Sequence, residues 1–305
     1  MKKKSSAPPA PELHPYKFPL ANLTVGGIEF TEIKNGKIRN RISFELGGFK
    51  CELRRSPETF YLKHKDCFGR SLHTGELIVH DVPIDKKAAV KQMAEEVAEL
   101  LSFAINSQVD CFGESYDGQS IRRSIHGIAL GNTPALSASQ LPSFLTQVWP
   151  GYRVLRAFRM LHIVFEYILT SQLPGQPFEV KILLGSVTLE CLKSTFAQTR
   201  GYQYHKPAWR RISVPPKADP MKEPQLGFAA LLTEMLGEVN MPAPLPAIIE
   251  LRNEVVHNGI SIKPHGDQLV AYQATQDLLR EYLLRRLGYH GVFRQFSDWS
   301  QNTIP

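Results

Sequence analysis

The apolar pattern of this chain changes period once, and that change limits what it can fold into. Between about residues 20 and 83, hydrophobic residues alternate with polar ones; from Asp85 they recur every three to four positions. Alternation belongs to strands with one wet face, and the 3.6-residue period to amphipathic helices. Strands followed by helices in a chain of 305 residues imply an α+β protein whose length suits two domains.

The strand region begins with Gly27-Ile28-Glu29-Phe30-Thr31-Glu32-Ile33 and continues after Lys34-Asn35-Gly36-Lys37 with 38–46. The Asn-Gly pair predicts a tight hairpin between the two runs. Gly47-Gly48 breaks the pattern, and further strands are expected at 49–53 and 76–82. Helical periodicity then places Val90, Met93, Ala94, Val97, Leu100, Leu101 and Ala104 on one face of a helix over 86–106, packed on the sheet. From 107 to 150 the pattern weakens, with one strand expected at 120–126, so a domain boundary is placed near 140. Beyond it helices are expected at 152–173, 178–198, 226–239, 245–257 and 268–287. The second of these is apolar almost all round and reads as the most buried.

These signals divide the chain into a flexible basic, proline-rich tail over 1–19, a β-rich domain with one packed helix over 20–140, and an all-α helical domain over 141–305. The tail has Met1-Lys2-Lys3-Lys4 but no apolar stretch behind it, so it is not read as a signal peptide. With no run of about 18 apolar residues, no membrane span is expected. The four cysteines, Cys51, Cys67, Cys111 and Cys191, include no close pair, which suits a reducing cytoplasm. A net charge of +7 favours an anionic partner such as nucleic acid, although three of the positive charges are tail lysines.

Chemistry concentrates in Leu251-Arg252-Asn253-Glu254-Val255-Val256-His257-Asn258-Gly259. On a helical wheel Leu245, Ile248, Ile249, Val255 and Val256 form an apolar stripe, with Arg252 in its middle. A guanidinium there needs a carboxylate, because its unpaired burial costs several kcal/mol. Glu190 is the first candidate and Glu166 the second. Asn253 and His257 stack four residues apart on another side, which turns His257 away from the core. A purely structural account is also open: Arg252 in an ion pair, and His257 stabilising the negative helix end by less than about 1 kcal/mol.

The Arg-Asn-x-x-x-His string followed by Asn-Gly, the glutamate in Leu189-Glu190-Cys191-Leu192, and the closing 274–287 segment with Gly288-Tyr289-His290-Gly291 together resemble the HEPN family, particularly its Apea-like branch. The resemblance covers roughly residues 150 to 296. It implies an all-helical domain, dimerisation, and metal-independent endoribonuclease activity of the kind found in toxin, abortive-infection and antiviral defence systems. Arg252 and His257 then match the catalytic arginine and histidine, Asn253 the polar residue after the arginine, and Glu190 the supporting acid. No cofactor and no metal are implied. The RNA 2′-hydroxyl would attack the adjacent phosphorus while His257 transfers protons and Arg252 stabilises the phosphoryl charge; DNA, without that hydroxyl, would be spared. Because one histidine does not easily serve both sides of a phosphate, a homodimer is expected to bring two motifs together. The expected partners are RNA, a second copy of the chain, and an antitoxin or trigger protein. A non-catalytic module binding RNA, nucleotide or protein is the alternative.

A second candidate site is the loop Gly201-Tyr202-Gln203-Tyr204-His205-Lys206-Pro207-Ala208-Trp209-Arg210-Arg211. It interleaves aromatic and basic residues, and Lys206, Trp209, Arg210 and Arg211 are its RNA-contact candidates; the plain alternative is a basic surface loop. Arg153, Arg156 and Arg159 share a helix side and read as a solvated face. His64, Asp66 and Cys67, with Cys51 and His73, make a zinc candidate whose spacing is irregular for such a site. His162 and Glu166 read as a structural pair.

Overall fold

In the computed structural model of the chain, residues 13–34, 36–60, 64–67, 69–130 and 133–305 are described. The alternating segments form the strands β1 (Leu13–Ala21), β2 (Glu29–Ile33), β3 (Gly36–Leu46), β4 (Phe49–Arg55) and β5 (His73–Pro83), with the four-residue helices α1 (Pro57–Phe60) and α2 (His64–Cys67) between the last two. Ile38, Ile42, Phe44 and Leu46 of β3 point inward while Lys37, Arg39, Ser43 and Glu45 face solvent, as a period of two requires. Three short strands follow, β6 (Asp110–Cys111), β7 (Gly113–Tyr116) and β8 (Gln119–Arg122). The antiparallel sheet runs β2-β3-β4-β5-β1-β7-β8, with β6 also paired to β1. The expected hairpin is present, with Ile33 opposite Gly36; Asn35 of its turn lies outside the described residues.

The segment expected to be tail through residue 19 is instead strand from Leu13 onward. β1 lies between β5 and β7, with Tyr16, Phe18 and Leu20 fully buried. Its prolines hid it, since proline has no N–H for a ladder and argues against a central strand. The structure accommodates Pro15 at a register shift between His14 and Tyr16.

Helix α3 (Lys87–Ile105) lies across one sheet face, and every residue of its expected stripe is buried. The same apolar cluster continues from Tyr16 and Leu53 through Leu101 to Phe144, Phe165 and Leu283. Phe103 stacks on Phe165 at 4.8 Å between ring centroids, so side chains interlock across the composition change near residue 140. Each such fully buried side chain contributes about 1.5–3 kcal/mol relative to exposure.

The later helices are α4 (Leu141–Leu155), α5 (Leu161–Ser171), α6 (Phe178–Thr199), α7 (Phe228–Gly237), α8 (Pro246–Asn258) and α9 (His265–Arg286). Where one helix was expected over 152–173 there are two. The first starts at Leu141 behind a capping box in which Ser137 and Gln140 bond reciprocally. The chain then breaks over 156–160, with Met160 at φ +53°, so Val154 and Phe158 of the expected stripe are exposed while Arg159 turns fully inward. Helix α6 is not buried all round either: Val180 and Leu183 reach the surface.

Nor is this half all-α. A three-stranded sheet of β9 (Gln203–His205), β10 (Ala208–Arg210) and β11 (Gln225–Leu226) forms within the 200–225 loop, and β12 (Gly291–Arg294) pairs with β13 (Gln301–Ile304). Strands of two to four residues are too short to establish a periodic signal. The β12–β13 hairpin is fastened to α9 by Arg280, whose Nη1 donates to the Arg294 carbonyl at 2.6 Å, and by Asp277, which accepts from the Phe296 and Ser297 amides. Burial pushes the Arg280 guanidinium down to about 10. Among the described residues no helix is long and apolar enough to cross a membrane.

Candidate functional site

Helix α8 begins with Pro246 in its first turn, where a missing N–H costs nothing, and ends at Gly259, whose φ of +77° lets its amide reach the Val255 carbonyl at 2.9 Å. Ile248, Leu251 and Val255 bury its inner face; Leu251 and Val255 meet Ile182 of α6 and Ala271 and Tyr272 of α9. Leu245 and Val256 of the expected stripe are exposed instead.

Arg252 sits where α8 meets α6, with its side chain 14% exposed. Its Nη2 pairs with Glu190 Oε1, so the arginine meets the acid on α6 that the wheel singled out, while Glu166 is exposed on α5. Nη1 donates to Asn253 Oδ1 at 2.8 Å, and the guanidinium lies 4.6 Å from the Phe228 ring centroid. Sequence reading missed Lys193, which takes the other Glu190 oxygen at 2.7 Å and lies 5.4 Å from the same ring. Its side chain is only 9% exposed. The available clue was its place one helical turn after Glu190. One carboxylate thus lies between two cations, leaving an excess positive charge.

This cluster forms one wall of an open cleft of about 500 Å³. Phe228 and Gly227 at the start of α7 line it, and Tyr204 and Trp209 of the β9–β10 hairpin close another side. Those two aromatics oppose each other across the strands, with ring centroids 5.4 Å apart. The fold therefore brings the arginine motif and the aromatic loop into one site. Ligands held by charge and by stacking find both here.

The remaining candidates are placed differently. Lys206 is exposed in the turn between β9 and β10. Arg210 is removed as an RNA contact: it is 6% exposed, and its Nη1 donates to the Glu223 carbonyl at 2.7 Å. Strand alternation explains this, since neighbours Trp209 and Arg210 must face opposite ways. Arg211 is exposed but bound to Glu234, with its guanidinium 5.6 Å from the Tyr202 ring. Asn253 is exposed and holds Arg252. His257 is exposed near the C-terminal end of α8 and is not part of the cleft lining. Five helical positions separate it from Arg252, about 140° of rotation and about 7.5 Å of rise.

Arg153 remains exposed, 3.6 Å from Glu96, whereas Arg156 is bonded to Glu99 and Arg159 is buried, so the three do not form one solvated basic face. Cys51 and Cys67 are buried thiols, and burial pushes Cys51 up to about 12. His73 Nε2 lies 3.0 Å from the Gly75 carbonyl. Among the described residues no group of three or more His, Cys, Asp and Glu side chains is placed to hold a metal ion; the His64 side chain lies outside them. His162 and Glu166 are both exposed. The chain matches no model of a known protein family, no curated protein and no solved structure.

Proposed function

We propose that this chain binds RNA in the Arg252 cleft and acts as a metal-independent endoribonuclease of the HEPN type that its sequence resembles. The observation that carries the reading is the joining of a cation pair ordered by Glu190 to the Trp209–Tyr204 aromatic wall in one open cleft. Glu190 and Asn253 engage only part of the arginine's donor fork, so the remainder is available to phosphoryl oxygens. Attack of the RNA 2′-oxygen on the adjacent phosphorus breaks the bond to the 5′-oxygen. Arg252 stabilises the charge on the non-bridging oxygens, and His257 transfers protons.

His257 stands outside the cleft of its own chain, so the reaction is proposed to need a homodimer. Exposed Leu183 on α6 and exposed Leu245, Val256 and Ile260 on and beside α8 supply apolar surface for a self-complementary interface. The proposed setting is a cytoplasmic antiviral defence effector or toxin, held in check by an antitoxin or released by a trigger protein. The position of His257 also favours a second reading, a non-catalytic module that binds RNA through the same cleft.

One comparison separates them. Wild type is expected to cleave RNA in EDTA; His257→Ala to bind RNA but not cleave it; and Arg252→Ala to bind at least about tenfold more weakly and not cleave. Equal cleavage by wild type and His257→Ala, or abolition of cleavage by EDTA, would sink the enzyme reading. Binding without cleavage in both proteins, under every activating condition, selects the module.

A further inference from the structure

A separate groove of about 270 Å³ lies where the β3–β4 turn, α3 and α4 meet. Its floor includes the sulfur-bearing Met93 and the half-buried rings of Phe49 and Trp149, and its rim carries Lys86 and Arg153. Beneath them lies Glu96, 3% exposed. A carboxylate so deeply buried is costly unless its oxygens are bonded. Here both are: Gln92 Nε2 donates to Oε1 at 2.9 Å and the Trp149 indole N–H to Oε2 at 2.8 Å. Arg153 lies 4.8 Å from the Trp149 ring centroid and 3.6 Å from Glu96. Gly47, at φ +60°, allows the turn to approach so closely that a Cβ there would stand 3.0 Å from the indole edge. Buried charge, stacking and a close backbone thus hold an aromatic side chain in place at the edge of an open groove.

We infer that this groove is a binding site for a small planar aromatic anion, with its ring among Trp149, Phe49 and Met93 and its charged group at Arg153 and Lys86. Met93 and the rings match a flat apolar body, and the cations lie at the solvent edge where a charged substituent would emerge. Among the described residues Lys86 pairs only with solvent-exposed Asp85 at 3.9 Å, an interaction of little strength, so its charge is available. A nucleoside monophosphate and an aromatic carboxylic acid share this chemistry. Because the groove joins the sheet to α4, a bound ligand ties the two halves together and raises the melting temperature by mass action.

Calorimetric titration of the full chain with AMP and with 1-naphthoate tests the site and distinguishes the two sources. Saturable one-to-one binding of either probe below about 1 mM is expected, weakened at least about fivefold by Lys86→Ala and abolished by Ala89→Trp, which fills the groove from an exposed helix position. Trp209→Ala leaves this binding unchanged. No saturation by either probe up to about 1 mM overturns the inference. So does binding that survives both groove variants, or that Trp209→Ala removes, since the latter places the probe in the Arg252 cleft. Circular dichroism melting of each variant excludes loss of fold as the cause.

Discussion

The cleft around Arg252 and the core around Arg159 place the same side chain in opposite surroundings, and α6 serves both. On one side α6 offers Glu190 to Arg252, beside open solvent and the Phe228 ring. On the other it offers the Leu192 carbonyl and the Thr195 hydroxyl, each 3.3 Å from Arg159 Nη1. Nη2 of Arg159 donates to the Tyr282 hydroxyl at 2.8 Å, and among the described residues no carboxylate lies within salt-bridge distance. Burial lowers the pKa of this guanidinium. A guanidinium sealed among neutral oxygens works as packing and cross-linking. One fixed by an acid at the edge of a cleft keeps donors free for an anion.

That difference is broken most severely at Arg159. Arg159→Ala removes the contacts to Tyr282, Leu192 and Thr195 and leaves a cavity, so a loss of about 3–5 kcal/mol is expected in urea unfolding. Arg159→Met fills much of that space without a charge and should recover most of the loss. Both variants, when folded, are expected to bind RNA as wild type does; a binding defect in folded Arg159→Met would erase the distinction. Arg252→Ala is the converse case. Lys193 remains to neutralise Glu190, so the expected stability loss is about 1–2 kcal/mol, while RNA affinity falls at least tenfold, about 1.4 kcal/mol. Filter binding alongside urea unfolding checks both halves of that statement.

Gly259→Ala tests whether the end of α8 must be held where it is. An alanine at φ +77° is strained by about 1 kcal/mol, and the melting temperature should fall by a few degrees, without change at Arg252. The smallest effect lies away from both arginines. Burial disfavours ionisation of Glu114, but hydrogen bonds from Tyr16 and Lys91 outweigh it and hold the carboxyl below its ordinary value of 4.5. Its native pKa is thus below the unfolded one, and the unfolded chain binds more protons in that window. The contribution is present above about pH 4.5 and disappears as pH falls through the depressed native value. Urea midpoints at pH 6 and pH 3 should therefore differ less in Glu114→Gln than in wild type, by the same margin with or without Arg159→Met.

Legibility followed the range of the interaction. The stripe of α3 and the β2–β3 hairpin could be read because period and turn chemistry act over a few residues. The Arg252–Glu190 pair could also be read: a charge in an apolar stripe demands an acid, and Glu190 was an acid in the most apolar segment. β1 was missed because Pro15 and Pro19 oppose a strand locally, while pairing with β5 and β7 overrides them. The break at 156–160 was missed because Val154, Leu155, Phe158 and Leu161 look continuous when each is assumed to face inward.

The sequence by itself determined the change from strands to helices, the acid that Arg252 required, and the outward turn of His257, because each follows from the side-chain period and the cost of an unpaired buried charge. Only tertiary structure decided that Trp209 and Tyr204 share a cleft with Arg252, that Lys193 joins Glu190, and that Arg210 and Arg159 are withdrawn from solvent. Those outcomes depend on how separate elements pack against one another, and no local pattern fixes that.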